Sequence, residues 1–208
     1  MTAPAASRRV FVVGDPDVKP YPLLNSLVVP RPIAWISTLS EDGVGNLAPH
    51  SFFTVACARP PVVQFTSVGK KDTLHNVRAT GEATISIASR PLLDQVNGSS
   101  APFDASVDEA GWVGVTMEPS ERVSPPRVAA SPASLECTLH STVELGDSTV
   151  VFLDVVAVTV AESALDGDHP TMAALEPMSR LGINEWGLPP EVIALDRPRR
   201  AEDVPRRD

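Results

Sequence analysis

From residue 33 onward the chain alternates apolar runs with short polar breaks. Residues 33–39, 46–56 and 62–68 are β-branched or aromatic runs separated by Glu41-Asp42-Gly43 and Arg59-Pro60-Pro61, a pattern that predicts a meander of antiparallel strands. Residues 71–81 change period: Leu74 and Val77 share one helical face, Asp72 is placed to cap the start, and Gly81 ends the segment. A short helix follows from this. Residues 82–89 alternate again, with Ala83, Ile85 and Ile87 set against Thr84, Ser86 and Ala88, and 92–95 begins a second helix. Residues 99–111 read as a mobile excursion. Beyond the Pro-rich stretch 119–132, the runs 134–144 and 148–162 flank Leu145-Gly146-Asp147 and predict a long hairpin whose apolar 150–160 is a buried strand.

Many short strands and few helices predict a mainly β protein, a β-barrel that removes its own sheet edges. Composition agrees with that picture. Of the 208 residues 21 are proline, against 6 Phe, 3 Trp and 1 Tyr, which suits short elements separated by turns. The length allows one sizeable core, since such a domain buries about 70% of the surface its unfolded chain exposes. One domain over 20–198 is expected, with a flexible tail at 1–19 and a charged tail at 199–208.

Charge and special residues narrow the function. Lys and Arg number 17 against 26 Asp and Glu, a formal charge of -9 that argues against a nucleic-acid partner. Residues 1–9 lack the apolar core of a leader, and 150–160 is too short to span a bilayer and carries Asp154, so a cytoplasmic protein without membrane attachment is expected. Cys57 and Cys137 sit in apolar strands and read as inert core thiols. His50, His75, His140 and His169 are far apart in sequence, so no metal site is expected, and no nucleophile elbow or activated cysteine is present. No catalytic residue can be assigned.

Two glycine-bearing segments deserve separate readings. Gly43-Val44-Gly45-Asn46-Leu47-Ala48 has the spacing of a dinucleotide fingerprint, but Pro49 and a β-favouring run follow where that motif needs a helix, so it is a hairpin turn. Gly69-Lys70-Lys71-Asp72-Thr73 sets two lysines beside a helix N-terminus, a natural seat for one phosphate. The same pattern fits an ordinary capped helix with two solvated lysines. Trp35, in an apolar strand, reads as core, while Ser37 and Thr38 beside it offer hydroxyls suited to a polar heterocycle.

Together, 30–38 (Pro-Arg-Pro-Ile-Ala-Trp-Ile-Ser-Thr), 46–53 (Asn-Leu-Ala-Pro-His-Ser-Phe-Phe) and Lys71-Asp72-Thr73 with Asn76 and Thr80-Gly81-Glu82 resemble the flavin reductase-like, FMN-binding split-barrel family. Later stretches around Leu135-Glu136-Cys137 and Ser179-Arg180-Leu181-Gly182 continue the resemblance, which covers about 20–198. It implies a Greek-key split barrel and a homodimer with FMN in a cleft near the subunit interface. By motif, Trp35, Ser37 and Thr38 would line the ring or its ribityl chain, and Asn46, Ala48, Pro49, His50, Ser51 and Phe52 would form the other wall. Lys71, Asp72 and Thr73 would hold the phosphate, with Arg180 reaching the cleft or bracing the dimer. The chain departs from the pattern at Thr54, Ser86, Ile183 and Trp186, where Asn, Asn, Gly and Tyr are common.

The implied activity is that of an NAD(P)H-dependent flavin reductase, taking hydride from NADH or NADPH onto FMN, with a partner oxygenase as one consumer of the reduced flavin. The cofactor does the chemistry, so no dedicated acid or base is required. Two other readings stay open: an FMN-bearing electron-transfer module without nicotinamide turnover, and a barrel that has lost flavin and acts as an interaction protein.

Overall fold

The computed structural model describes residues 7–206, so the outermost residues of both expected tails lie outside the description. Helix α1 (Pro20–Leu27) leads into strands β1 (Arg31–Pro32), β2 (Ala34–Leu39), β3 (Gly45–His50), β4 (Phe53–Cys57) and β5 (Val62–Val68). Then come α2 (Asp72–Thr80), β6 (Glu82–Ile87), α3 (Leu93–Gly98), α4 (Glu109–Trp112) and the short pair β7 (Met117–Glu118) and β8 (Arg127–Val128). The long hairpin is β9 (Ala133–Leu145) and β10 (Ser148–Val160). Beyond it lie β11 (Leu165–Asp166), β12 (His169–Pro170), α5 (Met172–Leu175), β13 (Ser179–Arg180) and β14 (Trp186–Gly187).

Seven strands form one antiparallel sheet in the order β3-β2-β6-β9-β10-β5-β4. The expectation of a mainly β barrel is met. Its outer strands, β3 and β4, are consecutive in sequence, and the Thr66 N–H donates to the Phe52 carbonyl between them at 2.8 Å. The sheet therefore curls until its ends meet at Ser51-Phe52. This also corrects the single strand expected over 46–56: at Ser51 the chain stops pairing with β2 and starts pairing with β5, which a continuous strand cannot do.

The barrel interior holds Ile36, Phe65, Val77, Ile85, Val151 and Leu153, with Leu74 and Val77 of α2 closing one end. Each such side chain contributes roughly 1.5–3 kcal/mol by leaving water. A second cluster, Trp35, Leu47, Val96, Val128 and Met178, lies on the outer face of β2 and β3 under α3 and the late strands. Because β2 is buried on both faces, its sequence is a continuous apolar run rather than an alternation.

The expected glycine end of α2 is present, with Gly81 at φ 76 and its N–H on the Val77 carbonyl. Its start differs from expectation. Lys71 is the N-cap without a side-chain bond, and Asp72 is the first helical residue, where its charge meets the helix dipole. The Gly43 turn, at φ 81, joins β2 to β3 as the hairpin reading requires.

Three other expectations are corrected. Cys57, at the end of edge strand β4, is exposed; Cys137 is buried, and burial pushes its thiol up to about 12. Strand β10 is buried only in its first half, since Val156 and Val158 are exposed beyond a bulge near Val155. The excursion 99–111 contains ordered contacts: Asp108 caps α4, and the buried Glu109 carboxylate accepts the Leu47 N–H at 2.9 Å.

Candidate functional site

Strand β3 pairs only with β2, so its other side is a free edge. Proline is tolerated within it for that reason, because Pro49 has no N–H to leave unpaired. At the same edge Glu109 occupies the Leu47 N–H, and burial raises the Glu109 carboxyl above the ordinary carboxylate range. The chain then turns at Ser51 into a cleft made of adjoining cavities of about 140, 290 and 470 Å³, each lined by Ser51. Phe52 and Arg31 line the two larger cavities, while Arg180 lines the smaller two. Pro49 and Trp186 complete the smallest.

Most of the sequence-predicted residues fall into three groups. Pro49, Ser51, Phe52 and Arg180 come together at the cleft. Thr38, Asn46, His50 and Thr73 form instead a buried polar cluster inside the barrel mouth, under α2. Asn46 Nδ2 donates to Thr38 Oγ1 and Thr73 Oγ1, both at 3.1 Å, and Asn76 Nδ2 donates to the same Thr38 oxygen at 3.1 Å. His50 Nε2 is 3.2 Å from Thr73 Oγ1, and the Thr66 backbone also contributes to its ring's environment. Burial, reinforced by the nearby Lys71 charge, lowers His50 from 6.5 to about 3. The ring is neutral at working pH and bridges β5 to α2 as a hydrogen-bonding group. It cannot serve as a cation for phosphate.

The third group is the start of α2. Lys71 is exposed, Asp72 half-buried, and the first-turn N–H groups have no side-chain cap. A cavity of about 320 Å³ beside them is lined by Asp42, Asp72 and Glu109, carboxylates that repel phosphate. On this side of the barrel, a phosphate could meet only Lys71 and the helix N–H groups without facing those carboxylates. Ala48 is half-buried on β3, on the face that carries Asn46 and His50.

Trp35, Ser37 and Thr38 do not face the cleft as the resemblance implies. Their side chains are 0%, 2% and 0% exposed, and Trp35 Nε1 donates to Ser99 Oγ at 2.9 Å. Strand β2 stands one place in from the free edge, paired on both sides, so these residues brace β3. Among the cleft residues outside the predicted set are Arg31 and Trp186. Arg31 carries one local signal, a charged residue between two prolines at the entry to an apolar strand; Trp186 carries none beyond its place near Arg180.

The late loop is held under strain. Ile183 has φ 51, a left-handed conformation unfavourable for a β-branched residue, which is why glycine is common there. Arg180 braces it by donating to the Ile183 carbonyl at 2.9 Å while stacking 4.7 Å from the Trp186 ring.

A curled antiparallel sheet that meets itself at one point, with a cleft beside its free edge and an uncapped helix start nearby, defines a split barrel. The chain belongs to the family described as the flavin reductase like domain, whose model matches residues 26–175. An uncharacterized protein of Deinococcus radiodurans is 38% identical over 80% of this chain and 79% of its own. Among solved structures, nitrilotriacetate monooxygenase component B from Bacillus cereus is 26% identical, with a TM-score of 0.85 over 91% of this chain and 100% of that one. An FMN-binding protein from Thermus thermophilus shares the fold at 19% identity and a TM-score of 0.74, over 91% of this chain and 100% of its own. Among the described residues, no helix is long and apolar enough to cross a membrane.

Proposed function

We propose that this chain is a flavoprotein oxidoreductase that binds FMN along the free edge of β3 and reduces it with NADH or NADPH. The observation that carries the reading is the uncapped start of α2 with Lys71 at its N-cap, in a chain of the flavin reductase-like family. Lys71 and the first-turn N–H groups would hold the phosphate. The backbone of β3, with Pro49, Ser51 and Phe52, would take the ring side. Asn46, Ala48, His50, Asp72 and Thr73, with Trp35, Ser37 and Thr38 behind them, would keep that edge and the helix start in place.

When bound, FMN supplies hydride acceptance and one- or two-electron release. The protein's own part is to orient the ring and leave one face open to a donor, and such alignment lowers a barrier by about 7–11 kcal/mol. The fold shared with a monooxygenase component B supports an oxygenase as the consumer of reduced flavin. We place this activity in the cytoplasm, where nicotinamide donors are plentiful.

A homodimer belongs to the same proposal. Helix α1 has no buried residue and exposes Leu24 and Leu27, and a helix of 8 residues is marginal in water unless something packs on it. A second copy would cover it beside the cleft. Light scattering at the mass of one chain, 22.1 kDa, would refute the dimer.

The functional test is an anaerobic absorption spectrum of the purified protein with FMN, before and after NADH and NADPH. Bleaching of the bound flavin by either donor is expected. Bleaching only by a protein reductant would favour the electron-transfer module, and no uptake of flavin at all would reject the reading. Lys71→Ala should weaken FMN by about tenfold, the size of one charge-assisted contact, and leave riboflavin unchanged. Fluorescence titrations that show equal losses for both ligands would remove Lys71 from the phosphate seat.

A further inference from the structure

Strands β1 and β13 put Arg31 directly opposite Arg180. Like charges in that position destabilise a ladder, and side chains directly opposite have Cβ atoms only about 5 Å apart. No carboxylate relieves them: among the described residues neither arginine is in an ion pair. Arg31 is 8% exposed, so its charge is largely removed from water. Its terminal nitrogens are held by carbonyls alone, Nη1 on Asn25 and Val28 and Nη2 on Leu181. Nε is buried with no partner among the described residues. Burial and the neighbouring Arg180 both lower the Arg31 pKa, a sign that positive charge at this point is uncompensated.

Both arginines line the 290 Å³ cavity, together with Tyr21, Ser51 and Phe52. Aromatic planes back them, Phe52 at 5.8 Å from Arg31 and Trp186 at 4.7 Å from Arg180. A pair of aromatic-backed arginines, Arg31 buried and Arg180 partly exposed, is complementary to a phosphate or carboxylate. Lys71 lines none of the three cleft cavities, and its charge acts on the buried His50.

We propose that the Arg31–Arg180 pair is the subsite for the anionic group of the second reactant, the molecule that exchanges electrons with the flavin. The inference rests on the flavin reading above. A nucleotide pyrophosphate and the carboxylate of an aromatic acid present the same anionic oxygens, and the site holds either against the aromatic wall with the reacting part toward β3.

The test is isothermal titration of the full FMN-loaded chain with inorganic pyrophosphate, benzoate and neutral benzamide. Wild type binds at least one anion: pyrophosphate alone identifies a nucleotide, and benzoate alone an aromatic acid. Arg180→Gln weakens that anion by at least about tenfold, the loss of one charged hydrogen bond, with benzamide unaffected. Arg180→Lys, which keeps the charge but loses the planar fork and the stack on Trp186, recovers only part of the affinity that Arg180→Gln loses. FMN and riboflavin dissociation constants stay unchanged in both variants. The inference is overturned if neither anion binds wild type, if Arg180→Gln binds as wild type does, or if both variants lose anion and flavin together, as a purely structural role requires. It is also overturned if Arg180→Gln weakens FMN but not riboflavin, which moves the flavin phosphate onto the pair. Wild type that takes up no flavin fails the flavin reading instead, and the same titrations on the colourless protein still report on the pair.

Discussion

Glu136→Gln is expected to lose about 2–4 kcal/mol of folding stability, although the change is nearly isosteric and removes one charge from an already acidic chain. Glu136 stands on β9 with its side chain fully buried. Its carboxylate accepts the Glu121 N–H on both oxygens at 3.0 Å and the Arg122 N–H at 2.6 Å. Those bonds tie residues 119–122 down over the outer face of β6 and β9, where Thr84 also donates to the Pro125 carbonyl at 2.7 Å. An amide keeps one acceptor oxygen but turns two N–H donors toward the loop's own N–H groups, leaving buried donors unpaired. Urea unfolding at neutral pH measures the difference, and a change below about 0.5 kcal/mol, the scatter of ordinary surface substitutions, would show that the loop is held by other means.

Acid should destabilise the protein through His50 well before the exposed carboxylates protonate. In the folded chain this ring titrates at about 3, against an ordinary 6.5, first because it is buried and second because Lys71 is near. Between those two values the unfolded chain binds a proton that the folded chain refuses. Stability therefore rises with pH across that window and is lost as pH falls from 6.5 toward 3. At pH 5 the loss from this one group is about 2 kcal/mol, at 1.36 kcal/mol per unit. His50→Gln can keep bonds to Thr73 and the Thr66 backbone but cannot take the proton. Unfolding midpoints of wild type and variant at pH 7 and pH 5 should diverge by that amount, and parallel shifts would place the acid sensitivity elsewhere. Protonation would make Nε2 a donor toward Thr73 Oγ1, which already accepts from Asn46 Nδ2.

Much of the barrel was legible because its signals are local. Period-two alternation in β6, the glycine turns at 43 and 146, and the Gly81 helix end each depend on neighbours within a few residues. Strand β2 was readable as a strand, but its burial on both faces was not. Its continuous apolar character, which leaves Trp35 fully enclosed, comes from burial on both faces, and nothing in its own residues says which neighbours provide the second face. The same limit applies to Ser37 and Thr38, whose hydroxyls look available until β3 pairs outside them.

The interruption at Ser51-Phe52 has no turn residue to announce it. It arises because the barrel must close between β3 and β5, a requirement of the whole sheet. Arg31 makes the point most sharply. Alone it is a charge between prolines; in the fold it donates to a carbonyl 150 residues away and faces Arg180 across a two-stranded ladder.

Hydrogen-bonding period, turn chemistry and the motifs of residues 30–82 are written in single stretches of chain, so most strands, the α2 start with its two lysines and the family could be read from local residues alone. Which strand became the free edge, which hydroxyls were enclosed, and which two positive charges were forced together were decided only by the tertiary structure. These depend on contacts between distant segments, and burial, which sets the strength and availability of every charge in the cleft, exists only once those segments have packed.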